Sequence, residues 1–177
     1  MKTVGQDSVE INNVSQLGIE IAPRNARQLA DFGVSLRGVI NAQVDIRHSL
    51  YPEINQIAYV MFRNRVDDAT YQTCTTLPPG RVDRSPCGTG SAANLATLAV
   101  RGTVDVGKRL TSRSTIGSEF GVELLGRTEV GGKPAVLPRV TGRAWIYSVE
   151  QLGVDPDDPL ANGFMLSDTW GEGFSNP

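Results

Sequence analysis

Residues 83–101 read Asp83-Arg84-Ser85-Pro86-Cys87-Gly88-Thr89-Gly90-Ser91-Ala92-Ala93-Asn94-Leu95-Ala96-Thr97-Leu98-Ala99-Val100-Arg101, and Gly102 follows. The stretch divides at Cys87. Ahead of it, Ser85-Pro86 interrupts regular structure, because a proline ring crowds the residue before it out of the helical region. Behind it, alanine and leucine dominate, which predicts a short buried helix from Gly88 to Arg101. Gly102 should close that helix, since glycine enters the left-handed cap conformation at little cost.

A cysteine at a helix start occupies an unusual electrostatic position. The first amides of a helix have no acceptor within it and sit at the positive end of its dipole, so an anion is stabilised there and thiolate is favoured over thiol. Gly88 and Gly90 would let a carboxylate come close to the backbone, and the Thr89 hydroxyl adds a donor. Asp83 is placed to pair with an ammonium group. One short loop could thus read both charges of an amino acid while a sulfur faces its α-carbon, the arrangement needed to remove a proton next to a carboxylate. On the residues alone, an inert cysteine packed before a helix explains the same pattern.

Outward from this loop, residues 14–42 carry apolar side chains at mixed spacing, and the part after Pro23 fits a helix with Arg24, Arg27, Gln28 and Asp31 toward solvent. Residues 57–62 and 70–77 read as strands, as do 110–116, 120–125, 135–140 and 144–149, separated by Gly126, a Gly131-Gly132 turn and Thr141-Gly142. The fold class predicted is α+β, with many strands wrapped around the helix that begins after Cys87.

The 177 residues, 40% hydrophobic, suffice for a core, and a formal charge of −2 is unlike the clustered basic surfaces that hold nucleic acid. Cys74 and Cys87 are the two cysteines, too few for a disulfide framework or a four-ligand zinc site. The N-terminal residues lack a secretory apolar core, and no later run approaches roughly 18 apolar residues, so the expectation is a cytoplasmic protein without nucleic-acid or membrane partners.

The segment from Asp83 to Gly90, followed by Ser91-Ala92-Ala93, closely resembles the second active-site signature of the proline racemase family. Ser114-Thr115-Ile116-Gly117-Ser118-Glu119-Phe120, Val140-Thr141-Gly142-Arg143-Ala144, and Asp158-Pro159 through Gly163-Phe164 with Asp168-Thr169-Trp170 resemble family segments in the same order. The resemblance implies a diaminopimelate epimerase-like lobe, a strand-rich sheet or barrel around a central helix. It implies racemisation of proline or epimerisation of hydroxyproline without pyridoxal phosphate, metal or any other cofactor. Two cysteines, one per lobe, would flank the substrate. Carried over residue by residue, Cys87 is the second of them, Asp83 a substrate contact, and Gly88 and Thr89 the amides that hold the carboxylate.

The family's Cys-Gly-His-Gly signature is absent, and the single histidine, His48, adjoins no glycine. The resemblance therefore implies a second lobe over residues 1–154, with residues 155–177 an extension that packs toward a first lobe. That lobe would come from a complementary polypeptide or the rest of a longer protein, and an uncovered lobe would associate into oligomers. Cys74, inside a predicted strand, is expected to be structural, and His48 to pack a loop. Arg84 is either an ion-pair partner or a site residue.

Many family members carry Thr-Ser-Ala-Arg where this chain has Ser91-Ala92-Ala93-Asn94, so an amide replaces an interior charge. Near Ala58 and Tyr59, where members offer a histidine to the ring substituent, none stands, which leaves proline or another cyclic amino acid beside hydroxyproline. A non-catalytic carboxylate-binding module and a 3-hydroxyproline dehydratase are the alternatives, the latter disfavoured because its members commonly replace the second cysteine by threonine.

Overall fold

The structure, a computed structural model, describes residues 2–3, 8–12 and 14–163. Phe164 and Asp168-Thr169-Trp170 lie outside the described residues. In chain order the elements are β1 (Lys2–Thr3), β2 (Ser8–Asn12), the 3-10 turns Val14–Leu17 and Pro23–Asn25, α1 (Ala26–Gln43), β3 (Tyr59–Arg65), β4 (Thr70–Leu77), β5 (Arg81–Val82), α2 (Gly88–Val100), β6 (Arg109–Arg113), β7 (Glu119–Val130) and β8 (Lys133–Thr141). The α+β class predicted above is the one observed.

All the strands join one sheet in the order β1-β2-β3-β4-β6-β7-β8, with β5 paired to β4 outside that path. Two neighbouring pairs are parallel, β2 with β3 and β4 with β6. A parallel pair needs a long crossover, and the two helices supply one each. Side chains alternate across a strand, so these helices meet opposite faces of the sheet. Val60, Phe62 and Cys74 pack with Leu29 of α1, whereas Tyr71 packs with Leu95 and Leu98 of α2, together with Leu110, Val122 and Leu124. Phe62 is fully buried and stacks on Phe32 with ring centroids 5.6 Å apart. The sheet thereby separates the apolar packing of α1 from that of α2, and a third small cluster of Ile40, Ile46 and Ile57 forms at the end of α1.

Each helix follows from its residues. In α1 the buried positions Leu29, Ala30, Gly33 and Ile40 make one inward stripe, and Arg27 pairs with Asp31 at 3.0 Å on the outer face. In α2 the cap at Gly102 forms as expected, with φ +68. Thr103 N donates to Leu98 O at 2.9 Å and Gly102 N to Ala99 O at 3.2 Å, the paired bonds of a Schellman ending.

The strands β4 and β7–β8 show what local reading can and cannot see. Strand β4 runs over the predicted residues 70–77. Strands β7 and β8 extend well beyond the predicted segments, because Gly126 sits at a bulge inside β7, between Leu124 and Gly126, rather than ending it. The turn at Gly131-Gly132 closes their hairpin.

The strand expected at residues 144–149 does not form. Its residues have strand-like composition, but a strand needs a neighbouring strand for its main-chain groups, and the ladders of the sheet end at β8, before this segment. By contact density the chain divides into Met1–Arg143 and Ala144–Pro177. Within the second unit Ile146 is 89% exposed and Tyr147 95%. No helix among the described residues is long and apolar enough to cross a membrane.

Candidate functional site around Cys87

Strand β4 ends at Leu77 and the chain returns through β5 to Asp83, whose N–H donates to Thr75 O at 2.9 Å. That bond ties the loop to the edge of β4. Asp83 Oδ1 accepts from Ser85 N at 2.8 Å, and Ser85 Oγ accepts from Cys87 N at 3.0 Å. The loop is thus a staircase of short side-chain bonds leading to the thiol.

Cys87 caps α2 with φ 61 and ψ 109, and it is the one residue other than glycine with positive φ among the described residues. This left-handed turn folds its side chain over the first helical turn, where Sγ accepts from Gly90 N at 3.4 Å. Ser91 N donates to Cys87 O at 2.9 Å. The amides of Gly88 and Thr89 take no acceptor among the described residues, and both residues are exposed. A side chain at Gly88 would meet nothing within 4 Å, so the space beside its backbone is open. The candidate residues Asp83, Cys87, Gly88 and Thr89 therefore share one loop and helix start, with Cys87 half-buried and Gly88 and Thr89 exposed.

Gly90 has a different purpose from the one expected. It is buried, and a Cβ there would drive into Met61 of β3 and stand 3.3 Å from Cys87 Sγ. Its lack of a side chain lets the helix start press against the sheet; it does not open the backbone to a ligand.

Cys74 lies on the other face, 1% exposed, packed with Leu29, Val60 and Phe62. Burial pushes its thiol up to about 11, with the charge of Asp83 adding to the rise and a hydrogen bond from Thr115 opposing it. This is the structural cysteine expected from sequence. Because the native state holds this proton above the ordinary value of 9.0, the stability it contributes is intact below about pH 9 and is lost as pH rises toward about 11. Urea denaturation at about pH 8 and about pH 11 should show wild type losing roughly 2–3 kcal/mol more than Cys74→Ala; equal losses would refute this.

His48 packs a loop, as expected: Nδ1 accepts from Leu50 N and Tyr51 N, each at 3.1 Å. It also borders a cavity of about 840 Å³ between residues 44–49, the outer face of α2 and the β7–β8 hairpin. Thr89 is the one candidate residue lining that cavity, so the space runs along the helix from its start and does not centre on the thiol.

Two features escaped sequence reading. Ser91, 1% exposed, donates from Oγ to Pro86 O at 2.9 Å and pairs with Ser112 Oγ at 2.9 Å; Ser112 in turn lies 3.3 Å from Thr73 Oγ1. Arg63, 4% exposed, bonds Asn94 Oδ1 and places its guanidinium 5.0 Å from the centre of the Tyr71 ring. The interior charge expected to be missing is therefore present, delivered from β3 instead of α2. The signal was available in the alternation Met61, Arg63, which places Arg63 on the α2 side, but a strand ended at Phe62 leaves it out.

Comparison with known proteins places these observations. The proline racemase family model matches residues 4–165. The chain belongs to the proline racemase family. It is 52% identical over 159 residues to a 4-hydroxyproline 2-epimerase of Allorhizobium ampelinum, covering 90% of this chain and 46% of the relative. A 4-hydroxyproline 2-epimerase of Agrobacterium fabrum is 48% identical over 164 residues, covering 93% and 48%. Among solved structures, a hydroxyproline epimerase from Agrobacterium vitis with bound trans-4-hydroxy-L-proline superposes with TM-score 0.75 at 50% identity, covering 92% of this chain and 47% of that one. The chain thus spans about half the length of the family members it matches.

Proposed function

We propose that this chain is one lobe of a cofactor-independent amino-acid racemase or epimerase, acting at the α-carbon of 4-hydroxyproline or proline, with Cys87 as one of two opposed thiols. The observation that carries the reading is a half-buried cysteine directly beside the exposed Gly88 and Thr89. The substrate carboxylate docks on their amides at the positive end of α2, which also stabilises the negative charge that grows as the α-proton leaves. Asp83, whose Oδ1 already receives Ser85 N, contributes its other oxygen to the substrate ammonium. Cys87 as thiolate takes the proton from one face while an acid on the opposite face delivers another; in the reverse direction the roles exchange. Relatives about 50% identical that are named for 4-hydroxyproline favour that substrate.

The opposed acid belongs to a complementary first lobe, either a separate polypeptide or another part of a longer protein. Apolar side chains such as Ile146, Tyr147 and Leu152, the last 90% exposed, support an association that covers this region.

Mixing the chain with the N-terminal half of the Agrobacterium vitis epimerase should produce a change in optical rotation of trans-4-hydroxy-L-proline that neither piece produces alone. Absence of turnover in this pairing, together with no exchange of the α-proton for deuterium, would sink the proposal.

A further inference from the structure

We infer that Ser91 is a positioning residue for the Cys87 thiol, acting through the Pro86–Cys87 peptide plane. The inference rests on the proposed acid/base role of Cys87 and deepens it. Left-handed backbone is disfavoured for a residue with a Cβ, so at Cys87 it persists only if neighbouring groups hold it. The plane that precedes it is gripped at both ends by hydroxyls. Its N–H, on Cys87, donates to Ser85 Oγ at 3.0 Å, and its carbonyl, on Pro86, accepts from Ser91 Oγ at 2.9 Å.

A serine inside a helix commonly bonds back to the carbonyl one turn earlier, which here is that of Cys87. Ser91 instead reaches past it to Pro86, and the Cys87 carbonyl receives the Ser91 amide. Ser91 therefore holds the peptide units on both sides of the Cys87 α-carbon.

Its hydroxyl is anchored in turn. Ser112 Oγ on β6 lies 2.9 Å away, and Thr73 Oγ1 on β4 lies 3.3 Å beyond that, each residue at most 2% exposed. Buried hydroxyls with all partners made are rigid, so the chain transmits the position of two adjacent strands to the loop. Releasing the Pro86 carbonyl lets the plane rotate toward ordinary φ, which swings Sγ away from Gly90 N and the helix start.

The test is alkylation of the full chain by iodoacetamide across pH, with mass spectrometry separating Cys87 from Cys74. Ser91→Ala should lower the Cys87 alkylation rates across that profile by about fivefold or more, whereas Ser91→Thr, which keeps a hydroxyl, should stay within about twofold of wild type. A role confined to stability would lower the melting temperature and leave the profile in place. An unchanged profile in Ser91→Ala, or an equal fall in Ser91→Thr, overturns the inference. Should Ser91→Ala not fold, Ser112→Ala removes the anchor alone and must lower the rates likewise for the inference to stand. Pyrrole-2-carboxylate, a planar mimic of the deprotonated substrate, is included as a separate arm. Failure to protect wild-type Cys87 overturns the site reading and this inference with it, whereas protection with an unchanged Ser91→Ala profile overturns the positioning role alone.

Discussion

Cys87→Ser, paired with a complementary first lobe, is expected to exchange the α-proton of 4-hydroxyproline at least about 10³-fold more slowly than wild type, in line with the loss of a positioned acid/base group. A serine hydroxyl retains the size and hydrogen-bonding ability of the group but does not ionise in the working range. Substrate affinity should change little, because the proposed carboxylate contacts are the backbone amides of Gly88 and Thr89. The measurement is deuterium incorporation followed by NMR, beside a calorimetric titration with pyrrole-2-carboxylate. Exchange within about tenfold of wild type would remove Cys87 from the chemistry. A parallel collapse of binding would say instead that the sulfur shapes the pocket.

Asn94→Arg is expected to destabilise the fold by about 3–5 kcal/mol, the scale of an uncompensated buried charge. At position 94 the second guanidinium would face that of Arg63, which is 4% exposed and donates to Asn94 Oδ1. The double variant Arg63→Asn with Asn94→Arg exchanges the amide and the charge between β3 and α2, and it should recover most of the loss. Urea denaturation of the four proteins of this cycle gives the coupling directly. If the double variant is no better than Asn94→Arg, the pair is not the unit that holds these elements together.

What sequence reading captured and what it missed divide along chemical range. The helix from Gly88 to its cap at Gly102 was legible because its start, its composition and its stop are all local. The grouping of Asp83, Cys87, Gly88 and Thr89 was legible for the same reason, since they are neighbours in the chain before they are neighbours in space. Arg63 bonds a residue 31 positions away, and Ser91 meets Ser112 across 21, so neither pairing leaves a mark in any short window. Strands β1, β2 and β5 went unread because they are short and defined by their neighbours in the sheet. The opposite error occurred at residues 144–149, where suitable side chains promised a strand but the ladders of the sheet end at β8.

The left-handed backbone at Cys87 has a consequence for how this position responds to selection. With φ 61, glycine would suit the main chain better than any residue bearing a Cβ, and relief of that conformation is worth about 1–2 kcal/mol. Folding and chemistry therefore rank the amino acids at position 87 in opposite orders. A library of variants sorted by thermal stability alone would drift toward glycine there and discard the thiol, while its members remained well folded. The residue on which the proposed activity depends is one that a stability optimisation would be the first to remove.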